Sequence, residues 1–439
     1  MTNHPFLHVA SRAAFALYAL SAGYTAHADV LFTVNTTADL IDDNLGDGLC
    51  HTSTNTCSLR AALMQANHLT GTGLTVVLLP AGIFLLSRTP QGANGEDSGD
   101  LYLAAPVVAG QSVSIFGTGA THTIVDANHI DRVLAIETGR TVHLSGITLR
   151  NGTRTSTSTG TGNGTGGGIF NRGDLAISDS VIEGNTSVEG GGIESSGALL
   201  IERSTVRSNR AQYGGGMYVY GNTQINASTL YSNAASPGSG GAIFNANELR
   251  VTSSTLSQNA ADTDGGAIFS NYQASVFSSS IINNDADHDR DENGGDGGGV
   301  YFAQFTASAF NILNTLFADN TVLDAPIYND CAGTGTIQAF GWNLFGDASG
   351  CTIVGPWGLV TPATIGPLGD NGGPTWTHAL LAGSEAIDSP SGGSGCVDGE
   401  GEDIQTDQRG AARVTGSRCD IGAFEFGSVL DRIFRSGFD

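Results

Sequence analysis

The 439-residue chain holds 63 glycines and 40% hydrophobic residues, enough apolar material to bury a large core. Its 42 acidic residues outweigh 18 basic ones for a formal charge of −24, which excludes nucleic acid and anionic lipid as expected partners, because both are held by clustered Arg and Lys. Every basic residue is arginine, so lysine chemistry is excluded as well.

Residues 1–28 carry one formal charge, Arg12, then an apolar run Ala13–Ala22 and a small-x-small site at Ala26-His27-Ala28. That is the pattern of a secretory signal peptide cleaved before Asp29, and the run is too short to cross a bilayer. No later stretch reaches transmembrane length, so the mature protein, exported by this signal, is expected to be soluble or held at a surface by something else. In an oxidising compartment its six cysteines, Cys50, Cys57, Cys331, Cys351, Cys396 and Cys419, are expected to form disulfides. Several connectivities are open. Pairing Cys50 with Cys57, Cys331 with Cys351 and Cys396 with Cys419 is the simplest, and it staples the end segments, where a solenoid lacks a neighbouring coil.

Phe32–Asp39 reads as an opening strand, and Asp42–Gly48 as a turn-rich loop whose Asp42, Asp43, Asn44 and Asp47 form a weak candidate calcium set. In Cys57–Asn67, Leu59, Ala62, Leu63 and Ala66 recur at helical spacing. They predict a short helix with Ser58 as N-cap, placed to cover the open end of a first coil. From Leu74 the pattern becomes one of strands: Leu74–Leu79, Gly82–Leu86, Ser112–Phe116, Thr123–Val125, Val133–Ile136 and Val142–Leu149. Gly146–Asn151 reads as an early, imperfect copy of a phrase that becomes regular further on.

From Gly166 one phrase recurs, at Gly166–Asn171, Gly190–Ser195, Gly214–Val219, Gly240–Asn245, Gly265–Ser270 and Gly297–Phe302, with starts 24, 24, 26, 25 and 32 residues apart. A second phrase, Ser-x-apolar-x-x-Asn, falls between its copies at Ser180–Asn185, Ser204–Asn209, Ser228–Asn233, Ser254–Asn259 and Ser279–Asn284. A fixed period of this length, with alternating apolar pairs such as Leu175 and Ile177 and no helical stripe, predicts one coil of a parallel β-helix per repeat. Coils stack at ~4.8 Å, so equivalent residues form columns. Asn185, Asn209, Asn233, Asn259 and Asn284 are then expected to form one inward-facing ladder in which each amide satisfies the next.

Two tracts, Thr153–Thr165 and Asp285–Asp296, break the rhythm and are expected to leave the stack as loops. In the second, Asp285, Asp287, Asp289, Asp291 and Asp296 follow the alternating rhythm of a D-x-D-x-D calcium loop, and hard oxygen donors so spaced can wrap one cation. Calcium is the one cofactor expected, without EF-hand geometry, because Arg290 stands where that loop prefers glycine. No catalytic set emerges elsewhere. Glu183, Glu194, Glu202 and Asp179 are scattered and read as a solvated face, and no G-x-S-x-G, H-E-x-x-H or C-x-x-C motif occurs.

The two phrases resemble the GGAI…N repeats of polymorphic outer-membrane proteins, within the right-handed parallel β-helix, pectate-lyase-like superfamily. The run Cys57-Ser58-Leu59-Arg60-Ala61-Ala62 resembles the CSLREA box at the front of many exported bacterial β-helix proteins. It departs at Ala61, where the box has the Glu that would complete a reciprocal capping box. Gly341–Gly346, Gly366–Thr375, His378–Asp388, Thr406–Gly410 and Asp420–Glu425 together look like the choice-of-anchor Q domain, and Leu430–Asp439 resembles the endings of some exported gammaproteobacterial proteins.

These resemblances imply an all-β protein with a signal peptide at 1–28, an N-terminal cap with its short helix at 29–73, β-helix repeats at 74–324, a β-rich C-terminal cap of choice-of-anchor Q type at 325–427 and a tail at 428–439. The implied location is extracellular or on the outer surface of a Gram-negative bacterium. The expected role is structural or adhesive, with a Thr/Asn/aromatic face presented to glycans or surface proteins and no catalytic residues. The alternative is a polysaccharide lyase or glycoside hydrolase working in the same groove. The charge of −24 counts against an anionic, pectin-like substrate.

Overall fold

The computed structural model describes residues 30–71, 73–91, 95–154, 164–289, 294–305, 308–322, 327–328, 330–360, 363–389, 396–397 and 401–429. The expected signal peptide and Leu430–Asp439 lie outside them.

Alternating apolar residues fold into strands too short to be stable alone, and each is fixed by its equivalent in the next coil. One coil contributes Ile169–Asn171, Asp174–Ser178, Val181–Glu183 and Thr186–Ser187 to four stacked sheets. Pairing follows the sequence period: Ile169 lies beside Ile193, Leu175 beside Leu199 and Ile182 beside Val206, all in parallel. Among the described residues the sheets hold twelve (the long sheet), eleven (the Asn-phrase sheet), nine (the glycine-phrase sheet) and eight strands (the narrow sheet). Among the described residues of these four stacks the one antiparallel pair is Thr321 with Tyr328. The molecule is a right-handed parallel β-helix whose axis is filled by columns of fully buried residues such as Ile169, Ile193, Met217, Ile243 and Ile268.

Two corners of the coil carry side-chain ladders. Asn185 donates from its backbone amide (3.0 Å) and from Nδ2 (2.9 Å) to Oδ1 of Asn209. The same pair of bonds repeats from Asn209 to Asn233, Asn259, Asn284 and finally Asn320. Each Nδ2 gives its second hydrogen to a carbonyl of the preceding coil, as Asn209 does to Ile182 at 3.0 Å. The ladder ends on buried Asp330. Its Oδ1 accepts from Asn320 Nδ2 at 2.6 Å, and its Oδ2 accepts the amides of Gly346 (2.6 Å) and Asp347 (2.9 Å). Because all the amides point the same way, their donor ends face Asp330, and these bonds offset part of the burial that raises its carboxyl pKa to about 6. At the other corner, the amide of Ser180 donates to Ser204 Oγ at 3.2 Å, and the pattern continues through Ser228, Ser254 and Ser279.

Gly146–Asn151 stands one residue out of phase with this ladder. Thr148 pairs with Val181, so Gly152 is the residue opposite Asn185, and Asn151 turns its amide to Asp126 at 3.0 Å. Ile147 occupies the place that Ser holds in later coils. The glycine triplets serve a tight corner: Gly166 has φ +63°, and a Cβ on Gly168 would lie 2.5 Å from the carbonyl oxygen of Gly192.

The solenoid extends beyond its expected limits at both ends. Val30–Thr33 already pairs in parallel with Leu74–Leu78 and so belongs to the first coil. Helix α1, Leu59–His68, lies in the chain between those two strands; Ser58 caps it by accepting from the Ala61 amide, and Leu59, Ala62, Leu63 and Ala66 join the core. Arg60 ties the helix down through Asp39 at 2.6 Å and the carbonyls of Gly99 and Asp100. Ala61 is fully buried, so a capping-box Glu would put a carboxylate into the core. At the far end, Cys331–Gly333, Thr336–Phe340, Leu344–Phe345, Thr352–Val354 and Gly358–Leu359 extend three of the sheets, which carries the stack past the expected boundary at 324.

The described residues between 363 and 429 then run back along the outer face of the Asn-phrase sheet. Trp376 stacks on Tyr231 with ring centroids 5.4 Å apart, and His378 bonds Ser257 at 2.9 Å. Leu380, Ile421 and Phe424 pack on Ile282, Leu316 and Leu344 in a second apolar cluster. Disulfides join Cys50 to Cys57, Cys331 to Cys351 and Cys396 to Cys419, with Cα atoms 5.1, 5.5 and 5.8 Å apart.

Candidate functional site

Strand alternation that sends Ile169 and Ile193 inward sends the next residue outward. On the glycine-phrase sheet the outward column runs Tyr102, Ala135, Phe170, Glu194, Tyr218, Phe244, Phe269 and Tyr301. Stacking binds its upper half: Tyr218 to Phe244 at 4.5 Å, Phe244 to Phe269 at 4.6 Å and Phe269 to Tyr301 at 5.5 Å between centroids. Rings stacked in this way use their faces on one another and present their edges outward. The faces open to a ligand belong to two flanking residues. Tyr213, 42% exposed, stands before the strand Met217–Val219 and meets Phe244 edge-on at 5.7 Å. Tyr220, 41% exposed, follows the strand and tilts over Tyr218 at 4.5 Å.

Glu194 interrupts the aromatic column. It is 4% exposed, lies between Phe170 and Tyr218, and among the described residues its Oε2 has no hydrogen-bond partner. Burial raises its pKa to about 8, with neighbouring Glu189 adding to the rise and Arg132 and Arg172 opposing it. Arg132 is turned to Asp100 at 3.0 Å and Arg172 to Glu137 at 3.4 Å, and both guanidinium groups lie over Phe170, at 4.7 and 5.1 Å from the ring centroid. Glu189 is also raised by burial, although Tyr220 hydrogen-bonds it. Further along the same sheet edge, burial raises Asp264, which accepts the amide of Asp296 at 3.1 Å beside Tyr301.

Chemically the face offers aromatic rings, a buried carboxyl that holds its proton at neutral pH, and acidic groups along one edge. Glu194 does not belong to the solvated face expected for it. Its signal lay in the phrase alignment, where one acidic residue falls at a position otherwise held by Phe and Tyr in every glycine-phrase copy.

The expected calcium ligands fall on several parts of the coil. Asp285 sits in the narrow sheet and accepts from Thr321 Oγ1, Asp287 is buried with φ +54°, Asp289 is at the surface, and the exposed Asp296 lies at the edge of the glycine-phrase sheet. Asp291 lies outside the described residues. In the other acidic loop, Asp42 accepts from Gln65 at 3.2 Å and from the His51 amide at 3.1 Å, while His51 pairs with Asp43 and Asp47. Among the described residues no group of three or more His, Cys, Asp or Glu is arranged to hold a metal ion, and no helix is long and apolar enough to cross a membrane. No protein-family model, curated protein or solved structure matches the chain.

Proposed function

We propose that this chain is an exported surface protein whose glycine-phrase sheet binds a neutral glycan along its outer face without turning it over. The observation that carries the reading is the outward column in which four stacked rings lead into a buried carboxyl, flanked by the open faces of Tyr213 and Tyr220. Aromatic faces pack on the C–H faces of sugar rings, and acidic groups accept their hydroxyls. The acidic edge and the charge of −24 disfavour uronic-acid or sulfated chains. Support for export comes from the signal-like first 28 residues, the three disulfides and the resemblance to the CSLREA box and the choice-of-anchor Q domain.

One observation favours a second reading, a glycoside hydrolase. A carboxyl with its pKa raised to about 8 is suited to protonate a leaving oxygen, and Glu189 is the neighbouring carboxylate. A screen on neutral and anionic glycan arrays, run beside assays for new reducing ends and unsaturated products, separates the two. Binding of neutral glycans without products is the expected result. Product formation that Glu194→Gln abolishes would establish the hydrolase instead, and binding confined to anionic glycans would refute the neutral-glycan reading.

A further inference from the structure

An orphaned acceptor deserves a partner, and the glycine-phrase sheet leaves one at the foot of its aromatic column. Resting on the glycan-binding reading above, we propose that Glu194 is the recognition residue of a subsite for one neutral pyranose ring, whose hydroxyl bonds its carboxyl while the ring packs between Tyr213 and Tyr220.

Three features point to this. First, a buried polar atom without a partner costs free energy, and Glu194 Oε2 is one. A ligand hydroxyl placed there supplies the missing bond. Second, two neighbours close enough to act on its charge are partly exposed and can change rotamer: Tyr220 is 41% exposed and the Arg172 side chain 39%. Third, the surrounding charges select against the other ligand classes. A cation would need several oxygen donors and would meet Arg132 and Arg172, while an anion would meet Glu189 as well as Glu194. A neutral polyhydroxylated ring satisfies the site with no charge buried.

Burial strengthens the case, because it keeps Glu194 protonated near neutral pH and so able to donate as well as accept. Donation fails once the carboxyl ionises. The affinity of the subsite should therefore fall as pH rises from 6 to 9, with Glu189, Arg132, Arg172, Tyr218 and Tyr220 the titratable or charged groups that face it.

The test is calorimetric titration of the full chain with cellotetraose, maltotetraose, mannotetraose and xylotetraose, at pH 6 and pH 9. Glu194→Leu, folded by circular dichroism, should weaken the best of these ligands about tenfold or more, and Glu194→Gln, which keeps a donor and an acceptor, should stay within about threefold of the parent. The parent should lose affinity between the two pH values and Glu194→Gln should not, a readout that survives even if the leucine variant fails to fold. Binding that ignores both substitutions and both pH values, yet is lost in Tyr213→Ala with Tyr220→Ala, would overturn the Glu194 assignment and leave the glycan reading standing. Absence of binding to all four sugars by the parent would overturn both.

Discussion

In Glu194 a carboxyl has been moved from water to a place between a phenyl and a phenol ring, and its proton equilibrium records the move. Burial dominates, Glu189 adds to it, and Arg132 and Arg172, turned to Asp100 and Glu137, oppose it. The native state therefore keeps a proton from the ordinary glutamate range up to about pH 8, while the unfolded chain releases it near 4.5. With more protons bound to the native state across that window, this group's contribution is fully present below the unfolded pKa and is lost as pH rises. Each such proton changes stability by about 1.4 kcal/mol per pH unit. Asp330 (to about 6) and Glu425 (to about 7) are raised by burial in the same sense, so the parent should lose stability steeply from pH 5 to 8. Urea denaturation across that range should show Glu194→Gln with a slope shallower by one proton between about pH 5 and 8. An unchanged slope would mean that the carboxyl is solvated and ionised like any surface glutamate.

At the scale of elements, the side-chain ladders turn a one-dimensional repeat into a solid. Each asparagine amide fills two roles at once, acceptor for the coil before and donor to the coil after, so removing one leaves partners on both sides unsatisfied. Asn259→Ala strips the acceptor from Asn233, with bonds of 3.1 and 3.0 Å, and the donors from Leu230 O and Asn284. The expected loss is on the order of 3 kcal/mol in urea denaturation. Asp330→Asn tests the ladder's end more sharply, since it deletes a buried charge at constant shape. Oδ1 and Oδ2 of Asp330 both face donors, Asn320 on one side and the amides of Gly346 and Asp347 on the other. Whichever way an amide turned there, an NH2 would meet an N–H, so the isosteric change should destabilise by about 1–3 kcal/mol rather than relieve a buried charge; a variant as stable as the parent would show that the ladder does not end on this carboxylate. This part of the fold was legible because period and chemistry coincide: Ser and Asn recur together, and the coil spacing converts recurrence into contact. Asn320 escaped because its phrase opens with Thr315 in place of Ser, although Thr315 makes the same local bond to a carbonyl two residues back. Asn151 misled because a matching residue one position out of phase faces the wrong neighbour. Glu194 was placed on the correct face, yet its burial depends on Phe170 and Tyr218 one period away, which reading each strand alone could not supply.

For the whole molecule, the solenoid's repeat leaves the Asn-phrase sheet with an outer face that must be solvated or covered, and residues 363–429 cover it from Ala227 to Leu344. No periodicity announces this docking, because the contacts join residues up to 179 positions apart. Gln408 is its polar centre. Fully buried, it accepts from Thr255 Oγ1 at 2.6 Å and donates to Thr229 Oγ1 at 2.8 Å, to Thr375 Oγ1 at 2.9 Å and to the Trp376 carbonyl at 3.0 Å. Trp376 and Phe424 supply the apolar contacts on either side. The covering segment has little regular structure of its own, one antiparallel pair of strands at Ile365–Gly369 and Thr377–Leu380 among the described residues, so its stability comes from the sheet beneath it. A repeat array, by contrast, is stabilised coil by coil. Gln408→Ala should therefore release the segment before it disturbs the solenoid: amide exchange in 363–429 should accelerate about tenfold or more, as expected for the loss of at least 1.4 kcal/mol in a local opening equilibrium. Exchange at Asn209, Asn233 and Asn259, whose amides are held by the ladder, should keep the parent's rate. Equal acceleration in both regions would show that segment and solenoid open as one cooperative unit, and that the covering is part of the β-helix core rather than a layer laid over it.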